Sequence, residues 1–136
     1  MTIKSPQEPT ESEPLSVDKR LSLLSSRFRR YLLYTLSMYP TPLSLPDVAD
    51  AVTALEYGTP AGEYPDERLE IYTSLYHHHL PQLVEAGVVR YDQSDDSVCV
   101  GPNAGELVSL LELTIAHDRP AENGVAPREP DLDSLS

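Results

Sequence analysis

Cysteine is nearly absent from this chain. Cys99 is the only one, so no internal disulfide can form and no cysteine-based zinc site can be assembled. Tryptophan is missing, phenylalanine occurs once, and lysine occurs only at Lys4 and Lys19. No apolar run approaches the roughly 18–20 residues that a membrane-spanning helix requires, and the N-terminus has no cationic-then-apolar leader pattern. No glycine-rich phosphate cradle, nucleophile elbow or metalloprotease spacing is found. A cytoplasmic protein is expected, with no membrane association, no catalytic centre, no cofactor and no metal.

Acidic residues and proline are abundant. Twenty-two Asp and Glu stand against ten Lys and Arg in 136 residues, a formal net charge of −12. The charge divides as −2 over 1–14, −7 over 15–116 and −3 over 117–136. Dense carboxylates with almost no lysine keep a protein hydrated where bulk salt screens ordinary repulsion, which points to a halophilic cytoplasm. Six of the 13 prolines fall at Pro6, Pro9, Pro14, Pro120, Pro127 and Pro130, among few apolar residues. A folded domain over 15–118 is therefore expected between disordered tails, 1–14 and 119–136.

The hydrophobic period is helical first. Leu21, Leu24, Phe28, Leu32 and Leu36 recur at three and four, predicting one amphipathic helix over Val17–Tyr39, ended by Pro40 and Pro42. Residues 41–45 read as a short strand or extended turn. Ser44 followed by Asp47 then caps a second helix, with Leu45, Val48, Val52 and Leu55 on its buried face and Gly58 at its end. Pro65, Asp66 and Glu67 open a third helix, whose expected stripe is Leu69, Tyr72, Tyr76, Leu80 and Leu83. Pro81 should kink it, and Gly87 should stop it. The period changes to two over 88–91 and 97–100, a hairpin turning at 93–96. A last helix is expected over 104–116. The order is that of a winged helix-turn-helix: mainly α, four helices plus a small β-hairpin as the wing.

Two stretches carry a resemblance. "HHHLPQLVEAGVVRYD" (77–92) resembles the end of the recognition helix and the first wing strand of ArsR-like winged-helix regulators. Their pattern there is His-His-Leu, a spacer, Leu, then Glu-Ala-Gly and two aliphatics. With "LLSSRFRRYLLYTL" (23–36) ahead of it, residues 16–100 are similar to a haloarchaeal winged-helix family of largely unknown function. The resemblance implies a third helix presented to a DNA groove. It speaks to fold more than to function, since winged helices also dock proteins.

The candidate site residues follow from that frame. Lys19, Arg20, Arg27, Arg29 and Arg30 place five basic residues in twelve positions, and on one continuous helix Lys19, Arg20, Arg27 and Arg30 share an arc of about 100°. Arg27 and Arg30 are candidates for phosphate contact; the competing reading is intramolecular pairing with the many carboxylates. Thr73, Ser74, His77, His78 and Gln82 are candidates for base-edge or phosphate contact from the third helix. Arg90 is the only basic residue on the hairpin, whose tip carries Asp92, Asp95 and Asp96. Three successive helical histidines point about 100° apart and cannot converge on one metal, so His79 is expected at the core edge. Cys99 between two valines reads as a small strand residue. The last helix is apolar around more than half its circumference, so Leu107, Leu110, Leu111 and Leu113 are expected at a two-fold dimer interface. The expected function is a homodimeric, double-stranded DNA-binding transcriptional regulator, and the alternative is a protein-interaction module. A continuous positive strip from the third helix to Arg27 and Arg30 would favour DNA, and a negative helix face would favour protein.

Overall fold

A computed structural model describes residues 14–118; apart from Pro14, the two expected tails lie outside them. The first expected helix is two helices, α1 (Val17–Leu23) and α2 (Arg27–Met38). Serines make the break. Ser16 caps α1 by accepting from the Lys19 amide, Ser25 donates its hydroxyl back to the Ser22 carbonyl, and Ser26 caps α2. Such local side-chain bonds offer the backbone an alternative to the next helical turn. Leu21, expected in the core stripe, is consequently 53% exposed. Beyond the break, every residue from Tyr31 to Met38 is buried, so α2 is the central helix and is covered on all sides.

After a Pro-containing turn, β1 (Leu43–Ser44) leads into α3 (Leu45–Tyr57), whose Ser44 cap accepts from the Asp47 amide. Gly58 ends α3 at φ 74°, the left-handed conformation that glycine adopts without a Cβ penalty. A single 3₁₀ turn, Ala61–Glu63, precedes the third expected helix.

That third helix is α4 (Pro65–Ser74), a π turn (Leu75–His79) and α5 (Leu80–Glu85). Pro81 explains the π turn. Proline has no N–H, and its ring collides with the carbonyl four residues earlier, so the chain widens by one residue just before it. The Leu80 amide accordingly donates to the Leu75 carbonyl, five residues back. The buried positions are therefore Ile71, Leu75, Leu80 and Leu83, spaced four, five and three. The expected stripe was regular, and the inserted residue rotates its first half out of the core: Leu69 is 61% exposed, and Tyr72 and Tyr76 are only half-buried.

The wing is β2 (Val89–Asp92) and β3 (Ser97–Val100), paired antiparallel with Val89 opposite Val100 and Tyr91 opposite Val98. β1 adds to the far side of β3, giving a three-stranded sheet in the order β1-β3-β2. Gly101 then approaches Gly87 so closely that a Cβ there would overlap the Gly87 carbonyl and stand 3.0 Å from the Val88 carbonyl carbon. Asn103 holds the same crossing, donating its amide to Gly87 and its side chain to Ala86. A 3₁₀ turn (Ala104–Leu107) leads to α6 (Val108–His117).

The fold is thus mainly helical with a small antiparallel sheet, a winged-helix arrangement in which the expected first and third helices are each divided. Its core joins α2, α3, α5, the sheet and α6. Leu107 and Leu111, expected at a dimer interface, have 0% exposure and belong to that core. Leu107 and Leu111 are thus covered within the single chain, and the later part of α6 is tied to α2 through Thr114 and Asp118. Leu113 remains 64% exposed and Leu110 half-buried. Among the described residues, no helix is long and apolar enough to cross a membrane.

Candidate functional site

The π turn decides what the third helix presents. By turning Tyr72 and Tyr76 outward, it sets their rings nearly parallel, 3° apart in plane with centroids 6.4 Å apart. On β2, Val89 and Tyr91 face the helices while Arg90 alternates to the opposite side of the sheet, across from Cys99. Tyr91 thereby meets α5, and a groove of about 360 Å³ opens between helix and wing, lined by Tyr76, His77, Leu80, Pro81, Val84, Tyr91 and Gln93. The His77 ring stands edge-on to Tyr76 at 5.0 Å. Tyr91 donates its hydroxyl to the Asp96 carboxylate at 2.9 Å. Desolvation, and then this bond, push the Tyr91 hydroxyl up to about 12, so it stays a protonated donor.

Of the expected contacts, Thr73, His77, His78 and Gln82 are exposed along α4, the π turn and α5, while Ser74 is half-buried. Thr73 already donates its hydroxyl to the Leu69 carbonyl. Arg90 is exposed on the wing but on the face turned away from this helix. The helix itself, from Pro65 to Ala86, carries Asp66, Glu67, Glu70 and Glu85 against one cation, Arg68, which is paired with Asp50 and donates to the Pro46 carbonyl. Its formal charge is therefore negative.

The basic cluster does not form the expected arc, because the helix that would have carried it is broken. Arg20 pairs with Glu106 at 3.3 Å, and Arg27 pairs with Glu56 at 2.9 Å. Arg30 is held by both carboxylate oxygens of Asp118, at 2.5 and 2.9 Å, and donates to the Leu24 carbonyl at 2.6 Å. The bidentate bond to Asp118 leads in holding the Arg30 guanidinium above its usual range, and Tyr34 donates to the same carboxylate. Arg30 therefore ties α2 to the end of α6, and the third helix offers only the paired Arg68 toward the positive strip that would favour DNA. Arg27 keeps about half of its surface open beside Glu56.

Arg29, part of the basic cluster but not one of the candidate contacts, is buried at the α1–α2 break. It donates to the Leu23 carbonyl at 2.7 Å and the Ser22 carbonyl at 3.0 Å, closing the carbonyl end of α1. Its third branch reaches His79 Nδ1 at 3.2 Å. His79 sits at the core edge as expected, edge-on to Phe28 at 6.0 Å. Burial first, and the neighbouring Arg29 charge second, depress its pKa to about 4, so the ring is neutral and accepts from the guanidinium. The three histidines thus part company: His79 braces the third helix on α2, while His77 and His78 face solvent. Among the described residues, no group of three or more His, Cys, Asp or Glu is placed to hold a metal ion.

Tyr76 and Tyr91, which define the groove, were not read from the sequence as site residues. Pro81 within a helical pattern was the available signal, since it fixes where the register must slip.

Fold and geometry together define a winged-helix domain with an aromatic groove between its third helix and its wing. The chain belongs to a family described as a domain of unknown function (DUF7344), whose model matches residues 21–99. That match runs from α1 to β3 and so takes in the third helix and the wing, stopping short of α6. No curated protein and no solved structure matches the chain.

Proposed function

We propose that this chain is a winged-helix module that docks another protein through the face made by α4, α5 and the wing. The observation that carries this reading is the charge of that face. Four acids and a committed arginine stand on the helix, no lysine or arginine lines the groove, and Arg30 is chelated by Asp118. A surface for duplex DNA draws most of its affinity from neutralised phosphates, which requires cations where this face has carboxylates.

A second reading, a double-stranded DNA-binding transcriptional regulator, is favoured by the exposed hydrogen-bonding groups of Thr73, His77, His78 and Gln82 on a helix-turn-helix frame. Both readings place the chain in the cytoplasm and allow a homodimer. For the dimer, Val17 and Leu21 on α1 and Leu113 on α6 are exposed, and Glu106 links the start of α1 to the turn before α6 through the Leu15 amide and Arg20.

One experiment separates the readings. A photoreactive amino acid is placed at exposed Gln82 in the full chain and crosslinked in cells. The docking reading expects adducts that survive nuclease and are removed by protease. Adducts that collapse to the free chain on nuclease treatment would replace it with the DNA reading.

A further inference from the structure

We infer that the groove between the third helix and the wing takes an extended, proline-containing peptide segment with basic flanks; this rests on the protein-docking reading and names its partner's chemistry. The walls are aromatic and apolar: Tyr76, Leu80, Pro81 and Val84 from the helix and Tyr91 from the wing. A polyproline II strand has no internal hydrogen bonds, so its carbonyls need donors from the binder while its pyrrolidine rings need flat apolar surfaces. The groove supplies both. Tyr76 and Tyr91 bring aromatic rings to the lining, and the side-chain amide of Gln93, which donates one hydrogen to the Tyr76 hydroxyl at 3.5 Å, keeps its second for a ligand carbonyl.

Charge decides the flanks. No cation lines the groove. The Asp96 carboxylate is fixed at the end of the groove-lining Tyr91 ring, and the exposed Asp95 precedes it at the wing tip. An apolar segment bearing arginine or lysine beside its prolines satisfies this rim, whereas an acidic segment or a phosphate backbone is repelled by it. The π turn before Pro81 leaves Tyr76 only half-buried, packed against the core on one side and lining the groove on the other.

The probe is a fluorescein-labelled peptide, Arg-Pro-Pro-Leu-Pro-Pro-Arg-Pro-Pro, titrated with the full chain by fluorescence anisotropy. Three competitors are run beside it: the same peptide with Gly-Ser in place of every Pro, the same peptide with Glu in place of both Arg, and a short DNA duplex. Binding of the proline–arginine peptide is expected to be at least about tenfold tighter than of the Gly-Ser and Glu forms, a gap of one strong contact. Tyr91→Ala should weaken it by about tenfold, and Asp96→Asn should weaken it while leaving a charge-free proline peptide unaffected. Should Tyr91→Ala fail to fold, Gln93→Ala at the exposed mouth replaces it, and amide shifts on peptide addition must centre on Tyr76, His77 and Gln93. Equal binding of the Gly-Ser peptide, or shifts centred away from the groove, overturns the inference. If the peptide does not bind while the Gln82 crosslink still captures protein, this inference alone fails. If the duplex outcompetes the peptide and the crosslink is nuclease-sensitive, the docking reading falls with it.

Discussion

Arg29→Met tests the claim that a buried arginine holds the two halves of the first expected helix together. Methionine keeps most of the packing of the aliphatic stem and removes the three donor branches. The Ser22 carbonyl belongs to an exposed residue, so water replaces that bond at little cost. The Leu23 carbonyl belongs to a residue 1% exposed and loses a 2.7 Å charge-assisted bond. An orphaned buried acceptor of this kind costs about 1–3 kcal/mol, and loss of the His79 bond adds a smaller amount because that ring is half-open to solvent. The expected total is about 2–3 kcal/mol, which for a domain of roughly 100 residues lowers Tm by about 8–15 °C. Thermal melts by circular dichroism, at one fixed potassium chloride concentration for both proteins, measure it. The same variant makes a second, independent prediction. His79 is neutral in the fold because its pKa falls from 6.5 to about 4, through burial first and Arg29 second. In the unfolded chain it protonates near 6.5, so the wild type has the full contribution above that pH, loses stability as pH falls from about 6.5 to 4, and levels off below. With solvent screening of the half-exposed ring, the loss is about 1–2 kcal/mol. Removing the Arg29 charge should move the His79 titration part of the way back toward 6.5, as read by the ring proton shifts, and shrink that loss. A variant that melts within about 2 °C of wild type, with an unmoved His79 titration, would refute the reasoning.

Gly101→Ala should be among the most damaging single-methyl additions, costing about 2–4 kcal/mol, because the new Cβ meets the Gly87 backbone and neither strand can move without opening the wing; urea unfolding measures it, and a loss below about 1 kcal/mol would show that the crossing yields. For the dimer, Leu21→Glu with Leu113→Glu should convert a sedimenting dimer to a monomer without altering the melt of the monomer, since both side chains are more than half exposed. A wild type already monomeric at micromolar concentration ends the dimer proposal.

Much of the fold was legible because it is written in local chemistry. Ser44 with Asp47, Gly58, Gly87 and the switch from helical to two-residue period each act within a few residues, so they place α3, the end of α5 and the wing from sequence alone. The mainly helical, winged arrangement follows from their order. The family match adds that residues 21–99 are a shared unit. Where a boundary depended on competition, the period misled. A regular leucine spacing runs straight through Ser25 and Ser26, yet serine hydroxyls bonded to the backbone, with two guanidinium groups waiting behind them, make a break there more stable than a turn.

What only the tertiary structure decided is the identity of the site. Proline at position 81 announces a defect, but not whether the chain kinks, frays or widens. The π turn lets Leu75 and Leu80 both reach the core, and it leaves Tyr72 and Tyr76 half-buried at its edge. Likewise, five basic residues in twelve positions look like one patch, since sequence spacing measures distance along a helix and carries no record of which carboxylate lies opposite. Glu106, Glu56 and Asp118 are 86, 29 and 88 residues away from the arginines they neutralise. A charge's availability is a property of its spatial neighbours, which the chain settles only when it folds.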